Sequence, residues 1–373
     1  MQYDYNALPH PGIQTLSPYV PGKSVTEVAA EHGISDIIKL ASNENVFGCS
    51  PNAIEALQHL NPMTIASYPS ARHHPLHQEL SDFLNIDPDM LSIANGSDSL
   101  FGLLLNCFAL HQNKHMLTHD YAFSSYAIQA HGLGVAVVST PTQDWKVDID
   151  ALIQACSDET ALIFIANPNN PTGLVVDVDE IQRILDHIPA STLLVLDEAY
   201  YEFLSPLPDT ISLLQRYRNL VITRTFSKAY GLAGLRLGYA IADPQIIATI
   251  QKIHLPFTAN IAALTAARAA LTDQSFIHDT IKKITTYRNA MSETLTQQAI
   301  HHLPSSANFL TIDCGCDALP IAQALESQGI IVRPLHPYGM SSYLRVTIGT
   351  EAQNQRFLET FFSILKTNTK QQG

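Results

Sequence analysis

The sequence predicts an α/β fold with a large, mostly parallel sheet and a smaller α+β domain. Over most of its 373 residues, apolar runs of strand length alternate with segments of helical period. Runs such as Leu193–Leu196 are apolar throughout, which is typical of strands buried on both faces and favours parallel βα units. From Pro244 onward, longer helical segments replace this alternation, which indicates a second domain of different build.

The large sheet is predicted to have seven strands. They lie at Leu91–Ala94, His115–Thr118, Val135–Thr140, Ala161–Ala166, Thr192–Asp197, Asn219–Phe226 and Leu235–Ala242. Helices are predicted between them at Ser97–Leu110, Phe123–His131, Asp148–Cys156, Val178–Ile188 and Ser212–Arg216. In open sheets of this kind, ligands bind at the carboxyl ends of the strands. Polar residues at those ends therefore mark the candidate site.

This pattern divides the chain into three parts. Residues 1–66 contain short elements only and are expected to pack on both domains, residues 67–255 form the large domain, and residues 256–373 form interdomain helices and the small domain. In the small domain, strands are predicted at Asn308–Asp313, Ile330–Pro334 and Tyr343–Ile348. Helices are predicted there at Leu319–Gln328 and Glu351–Thr367.

Composition excludes several classes of protein. The chain has 21 Lys and Arg against 34 Asp and Glu, a formal charge of −13, and this negative charge argues against nucleic acid as a partner. Its most apolar stretch, Leu100–Leu110, is too short to cross a membrane. The first residues show no secretory signal. Five scattered cysteines favour a reducing compartment, so a cytoplasmic protein is expected.

The many histidines do not predict a metal site. There are 16 of them, but neither His-Glu-x-x-His nor Cys-x-x-Cys occurs. The pair Cys314 and Cys316 has no second pair that would complete a site. No metal is therefore expected.

Polar residues follow three of the buried strands. Asn167–Gly173 reads Asn-Pro-Asn-Asn-Pro-Thr-Gly, Asp197–Tyr200 reads Asp-Glu-Ala-Tyr, and Ser227 and Lys228 follow the strand that ends near Phe226. Together these segments supply an amide, an acid and a lysine. That set matches the needs of pyridoxal phosphate, which requires a lysine for its aldehyde, an acid against its ring nitrogen and donors for its phenolate oxygen.

A phosphate site is predicted beside this set. Arg236, Ser227 and Thr225 are able to donate charge-assisted hydrogen bonds to an anion. Ser97 and Asp98 open a predicted helix after a strand, and backbone amides at a helix N-terminus also bind anions.

The same segments resemble the fold-type I pyridoxal-phosphate aminotransferases. The resemblance rests on Asn167–Gly173, Asp197–Tyr200 and Ser227–Tyr239, the last reading Ser-Lys-Ala-Tyr-Gly-Leu-Ala-Gly-Leu-Arg-Leu-Gly-Tyr. Further segments resemble the histidinol-phosphate aminotransferases within that family. They are Ser17–Lys23, Leu40–Asn45, Ile331–Pro334 and Leu344–Gly349.

The resemblance implies a role for each matching residue. Lys228 is expected to bind the cofactor's aldehyde and to move the substrate's α-proton, Asp197 to keep the ring nitrogen protonated, and Tyr200 to bond the phenolate oxygen together with Asn170. Phe123 is expected to stack on the ring. The residues expected at the cofactor's phosphate are Ser97, Asp98, Thr225, Ser227 and Arg236, joined by Tyr68 from a neighbouring subunit, which implies a homodimer. The residues expected on the substrate side are Arg345, which takes an anion, Arg333, Asn45 and Tyr19.

The activity that the resemblance implies is transamination between L-histidinol phosphate and 2-oxoglutarate. An aromatic amino-acid aminotransferase is an alternative, because a flat apolar pocket accepts imidazole and phenyl alike. A pyridoxal-phosphate-dependent decarboxylase of a phosphorylated amino acid is a second alternative. A cofactor-sensing regulator is disfavoured, because the chain has no spare segment for a DNA-binding domain.

Overall fold

The computed structural model describes residues 4–16 and 22–372, and of residues 368–372 it describes the backbone only. Its strands, numbered along the chain, are β1 Ile38–Lys39, β2 Leu91–Ala94, β3 His115–His119, β4 Ala136–Thr140, β5 Thr142–Gln143, β6 Lys146–Val147, β7 Thr160–Ala166, β8 Leu193–Asp197, β9 Leu220–Thr225, β10 Gly238–Ala242, β11 His302–Leu303, β12 Phe309–Asp313, β13 Ile330–Ile331, β14 Arg333–Leu335 and β15 Met340–Thr347.

The α-helices among these residues are α1 Pro11–Gln14, α2 Val25–His32, α3 Pro51–Gln58, α4 Pro62–Ala66, α5 Pro75–Leu84, α6 Asp98–Phe108, α7 Ser125–Gly132, α8 Ile149–Ala155, α9 Val178–His187, α10 Pro244–Gln251, α11 Ile261–Thr272, α12 Gln274–Gln297, α13 Ala318–Glu326 and α14 Glu351–Gln372. Short 3-10 segments lie at Tyr5–Ala7, Ala71–His73, Pro88–Met90, Tyr201–Phe203, Ile211–Gln215, Ala233–Leu235 and His336–Tyr338. None of the described helices is both long and apolar enough to span a bilayer.

The large sheet has seven strands in the order β2-β10-β9-β8-β7-β3-β4. All seven are the strands that the sequence predicts. Neighbours pair in parallel, except that β10 runs antiparallel to both β2 and β9. The prediction of a large, mostly parallel sheet is therefore confirmed.

Both faces of this sheet are buried. Along β7, Ile163 and Ile165 pack into one hydrophobic core, while Leu162 and Phe164 pack into a second core on the opposite face. The first core includes residues of α5, α8, α9 and α11, and the second includes residues of α6, α7 and α10. Because successive side chains of a strand point to opposite faces, a strand covered on both sides must be apolar at every position.

The small sheet is antiparallel, with the order β11-β12-β15-β14. Ile330–Pro334 was predicted as one strand, and this is wrong. The structure breaks it into β13, which pairs with β1, and β14, which pairs with β15. Because β13 pairs with a strand of the N-terminal segment, it cannot continue along the small sheet.

Three further differences from the predicted elements are local. The segment predicted as a helix at Ser212–Arg216 is a 3-10 segment, Ile211–Gln215. Helix α5 and the two-stranded hairpin of β5 and β6 were not predicted. The domain limits at residues 66 and 255 stay a prediction.

The carboxyl ends of β7, β8 and β9 lie side by side. Ala166 is opposite Asp197, and Asp197 is opposite Thr223. The polar segments that follow these strands are thereby brought to one edge of the large sheet, where the small sheet's Arg345 also reaches Asn170.

Candidate active site

A cavity of about 230 Å³ lies at this edge. Most of the residues predicted from the sequence line it. They are Ser97, Asp98, Phe123, Asn170, Asp197, Tyr200, Thr225, Ser227, Lys228, Arg236, Arg333 and Arg345. The structure therefore brings together residues that lie up to 248 positions apart in the chain (345 − 97).

Asp197 is the last residue of β8 and is only 4% exposed. The Tyr126 hydroxyl donates to Oδ2 of Asp197 at 2.7 Å, and the Thr223 hydroxyl donates to its Oδ1 at 3.2 Å. Burial raises the pKa of the Asp197 carboxyl to about 7, although both hydrogen bonds act in the opposite direction. A cationic N–H donor beside this carboxyl would lower its pKa and restore its charge.

The Lys228 amine lies on another side of the cavity. Its Nζ atom donates to the Ser42 carbonyl at 3.3 Å and lies 5.7 Å from the centre of the Tyr200 ring. Burial and the nearby Arg345 guanidinium lower the pKa of the Lys228 amine to about 8. Near neutral pH, a larger share of this amine is therefore uncharged and nucleophilic than in a solvated lysine.

Two polar side chains of the cavity are oriented by their neighbours. Arg345 donates from Nη1 to Oδ1 of Asn170 at 2.5 Å, so the Asn170 amide keeps its Nδ2 donors for a ligand. The Asn43 amide donates to the Tyr200 hydroxyl at 2.8 Å. Burial raises the pKa of Tyr200 to about 12, which keeps its hydroxyl protonated. Tyr200 and Asn170 are thus both able to donate hydrogen bonds.

Arg345 is 8% exposed, and its guanidinium is only partly used within the protein. Its Nη2 donates to the Ala41 carbonyl at 2.7 Å, while its Nε has no hydrogen-bond partner among the described residues. A buried guanidinium with a spare donor is suited to an anion that supplies two oxygens.

A cationic cradle lies at the start of α6. It is formed by Arg236, Thr225, Ser227 and the backbone of Ser97 and Asp98, and two glycines leave space for it. A Cβ atom on Gly96 would lie 2.7 Å from Nη2 of Arg236, and one on Gly238 would lie 2.5 Å from the Ser97 amide nitrogen. Asp98 begins the helix directly after Ser97. Arg236 therefore sits close against the N-terminus of a helix, an arrangement that favours a bound anion.

Hydroxyl groups complete the cradle. Nη1 of Arg236 donates to the Ser227 hydroxyl at 3.3 Å, and the Ser227 amide donates to the Thr225 hydroxyl oxygen at 3.1 Å. Arg236 has a φ of 56°, the left-handed conformation that favours glycine and costs energy for other residues. These groups fit a phosphate.

The donor set as a whole fits pyridoxal phosphate. The cradle around Arg236 suits the cofactor's phosphate, the buried Asp197 suits a protonated ring nitrogen, and Lys228 suits the aldehyde. Tyr200 and Asn170 offer the donors that a phenolate oxygen requires.

Among the described residues, two of the predicted site residues, Asn45 and Tyr68, do not line the cavity. Asn45 uses its amide within the protein, donating to the Ala229 carbonyl and accepting from the Phe47 amide; Asn43 of the same segment lines the cavity instead. Tyr68 is 84% exposed and stacks on Phe257. Tyr19 lies outside the described residues.

Sequence reasoning missed several functional candidates. Tyr126 follows Phe123 by three residues, and this spacing of about one helical turn was a signal that both side chains face the same region. Asn43 lay inside a segment already noted for its resemblance. No signal pointed to Thr223 or to Tyr338, which also lines the cavity.

The family model of class I and II aminotransferases matches residues 35–361. The chain belongs to this family. Among its relatives, a protein of Legionella pneumophila strain Lens named histidinol-phosphate aminotransferase 2 is 53% identical over 361 residues, which are 96% of this chain and 98% of that protein. A protein of the same name from Hydrogenovibrio crunogenus is 38% identical and covers 96% of each chain.

A solved structure agrees with these matches. The histidinol-phosphate aminotransferase of Sinorhizobium meliloti, in complex with pyridoxal-5'-phosphate, has a TM-score of 0.86 at 28% identity and covers 96% of this chain and 97% of its own. The predictions of a fold-type I aminotransferase and of pyridoxal phosphate as its cofactor are therefore confirmed.

The substitution Arg345→Gln should raise the pKa of the Lys228 amine, because it removes a cation that disfavours the amine's protonation. In the cofactor-free protein, the rate of reaction with added pyridoxal phosphate should rise with pH through about 8, as the neutral amine forms. In the variant the same rise should occur at higher pH, measured by stopped-flow absorbance. The matched control is Arg356→Gln, at the ion pair with Asp36, and it should keep the wild-type profile. An unshifted profile in Arg345→Gln would show that Arg345 does not lower the pKa of the Lys228 amine.

The substitution Tyr126→Phe should weaken cofactor binding, because it removes a donor that stabilises the ionised Asp197. The pKa of Asp197 then rises further above about 7, so the loss should be largest at and below neutral pH and should shrink at higher pH. We expect the dissociation constant of pyridoxal phosphate to rise at least about tenfold at pH 7, since a hydrogen bond to a charged group is worth about 1.5–3 kcal/mol. Tyr217→Phe removes a similar bond to Asp186 and should leave the constant unchanged. Equal constants for both variants would show that Tyr126 has no such role.

Proposed function

We propose that this protein transfers the amino group of L-histidinol phosphate to 2-oxoglutarate, giving imidazole-acetol phosphate and glutamate. One observation carries the proposal: a single cavity joins Lys228 and Asp197 of the large sheet with Arg345 of the small sheet. The substrate follows from the names of the relatives, which match this chain over nearly its whole length.

The bound cofactor supplies an electrophilic carbon for the amino group and a ring that accepts electrons from the substrate's α-carbon. Asp197 would accept a hydrogen bond from the ring N–H and so keep that nitrogen protonated. Tyr126 and Thr223 hold the Asp197 carboxylate in place. Tyr200 and Asn170 would donate to the phenolate oxygen, and Phe123, which lines the same cavity, would pack against the ring.

Lys228 moves protons in this reaction. Its Nζ atom would hold the cofactor's aldehyde carbon and, when free, would accept the proton from the substrate's α-carbon. A pKa near 8 suits both tasks, because a general base works best when its pKa is close to the working pH. Burial in the site is the main cause of this lowered pKa, so Lys228 is able to act as the base itself.

The cradle described above would hold the cofactor's phosphate. The Ser97 and Asp98 amides, the Ser227 hydroxyl and the Arg236 guanidinium would be its donors. The Thr225 hydroxyl, which donates to the Leu237 carbonyl in this structure, would join them by exchanging that bond. The side chain of Asp98 is an acceptor and contributes only through its backbone.

Arg345 binds the anionic end of each substrate. Its fork takes the α-carboxylate of glutamate in one half of the reaction and the phosphate of histidinol phosphate in the other, and its spare Nε supports this role. Arg333 lines the same cavity and assists. Asn45 holds the loop after Lys228 through its bond to Ala229.

We also propose that the protein is a cytoplasmic homodimer. Five apolar residues, here called the dimer patch, are each at least half exposed, and two of them, Tyr68 and Phe257, stack on each other. They are Met63, Ile65, Tyr68, Leu255 and Phe257. Surface patches of this kind mark protein contacts. Tyr68 would then reach the partner's cofactor phosphate. All five cysteines are free thiols, in keeping with a reducing compartment.

The enzyme should prefer L-histidinol phosphate over L-phenylalanine by at least about tenfold in kcat/KM, with 2-oxoglutarate as acceptor. A phosphate offers three oxygens and a larger negative charge to Arg345 and Arg333, whereas the α-carboxylate of phenylalanine offers two oxygens and a single charge. Steady-state kinetics on the two donors measures this.

Lys228→Ala should abolish turnover while keeping the fold. Borohydride should fix the cofactor to the peptide that contains Lys228 in the wild type, and it should not do so in the variant.

Other outcomes identify the alternatives. A preference for phenylalanine would replace the substrate with an aromatic amino acid. Release of carbon dioxide without a need for 2-oxoglutarate would indicate a decarboxylase.

The dimer patch should control both assembly and cofactor affinity. Leu255→Asp should convert the dimer to a monomer in sedimentation velocity, because it places a charge in an apolar contact. The same variant should bind pyridoxal phosphate more weakly, since the partner's Tyr68 is lost from the phosphate. Leu319→Asp changes an exposed leucine of α13 and serves as control. A wild-type monomer, or a monomeric variant with unchanged cofactor affinity, would contradict this arrangement.

A further inference from the structure

Tyr338 lies in the connection between the two strands that carry the substrate-side arginines. Arg333 begins β14 and Arg345 lies on β15, and the 3-10 segment His336–Tyr338 joins these strands. Gly339 turns the chain into β15 with a φ of 74°. Any movement of Tyr338 is thus confined by both strands.

Tyr338 also forms part of a wall between two cavities. The active-site cavity of about 230 Å³ and a neighbouring cavity of about 560 Å³ share Phe123, Arg333 and Tyr338. Ligand pockets typically measure roughly 300–1,000 Å³, and the proposed reaction needs room for a cofactor and a substrate together. At about 230 Å³ the first cavity lies below this range. We therefore expect the substrate's side chain to extend into the neighbouring space beyond this wall.

Two hydroxyl groups stand at the wall. The Tyr338 hydroxyl lies 3.3 Å from the Ser124 hydroxyl, and either is able to donate to the other. Ser124 directly follows Phe123 and lines the neighbouring cavity, while Tyr338 lines both cavities. The distance is long for a bond between hydroxyls, whose usual value is about 2.7–2.8 Å. The pair is therefore able to exchange its mutual contact for a ligand at little cost.

We propose that the Tyr338 and Ser124 hydroxyls bind the ring nitrogens of the substrate's side chain and so select an imidazole over a phenyl ring. The proposal takes its substrate class from the proposed function. A neutral imidazole has one N–H donor and one acceptor nitrogen, and two hydroxyls that each donate and accept match both. A phenyl ring has neither, but it leaves the hydroxyls bonded to each other. The selection is therefore modest, about tenfold, the size of one net hydrogen bond.

Non-reacting ligands test this selection in the pyridoxal-phosphate-loaded enzyme. Imidazolepropionate and 3-phenylpropionate share a carboxylate and a two-carbon chain, and neither has an amino group to transfer. Calorimetry should show that the wild type binds imidazolepropionate more tightly. Tyr338→Phe and Ser124→Ala should each reduce the ratio of the two dissociation constants about tenfold, because each removes one hydroxyl.

The control is Tyr343→Phe, which removes a hydroxyl from the hydrophobic cluster on which Tyr338 packs and is not among the residues lining either cavity. It should keep the wild-type ratio. If Tyr338→Phe weakens both ligands equally, the hydroxyl only holds the wall in place, and the proposal is wrong. An unchanged ratio in both hydroxyl variants would overturn it as well. Because the ligands do not react, failure of histidinol phosphate as a substrate would be recognised separately, in the kinetic assay.

Discussion

The burial of the Asp197 carboxyl at the end of a central strand is the constraint on which the site depends. An isolated buried carboxylate is costly, and burial therefore favours its neutral form. The neighbours that bond it, Tyr126 and Thr223, are neutral hydroxyls. They stabilise the charge in part, and the pKa still lies near 7. The arrangement becomes fully favourable when a cationic N–H group joins it, which is what a protonated pyridine ring provides.

The opposite side of the cavity depends on the two sheets together. The amine of Lys228 follows a large-sheet strand, whereas Arg345, which lowers its pKa, belongs to the small sheet. An anion bound to Arg345 would offset that cation and so raise the amine's pKa. Under the proposed function, binding of the anionic substrate is thereby coupled to the protonation of the Lys228 amine. The bond from Arg345 to Asn170 links the same guanidinium to the cofactor side.

The sequence predicted the large sheet well because its central strands are buried on both faces, and continuous apolar runs are their direct consequence. It predicted the strand-end residues because polar groups after such runs are conspicuous. The split between β13 and β14 was not predictable, since it depends on pairing with the distant β1. Asn43 and Asn45 could not be ranked from sequence, because both are amides in one segment and only tertiary contacts separate their roles.

Reaction type and substrate choice are encoded in different parts of this fold. The groups that we propose to act on the α-carbon lie at the end of β8 and just after β9. Strand register places Asp197 opposite Thr223, within hydrogen-bonding distance of its hydroxyl. The side-chain wall is built from connections, namely the residues after β3 and the segment between β14 and β15. Connections tolerate substitution better than buried strands. A change at Tyr338 or Ser124 would therefore alter which ring enters while leaving Asp197 and Lys228 in place. Substrate preference is therefore able to change through these connections while the chemistry at the strand ends is retained.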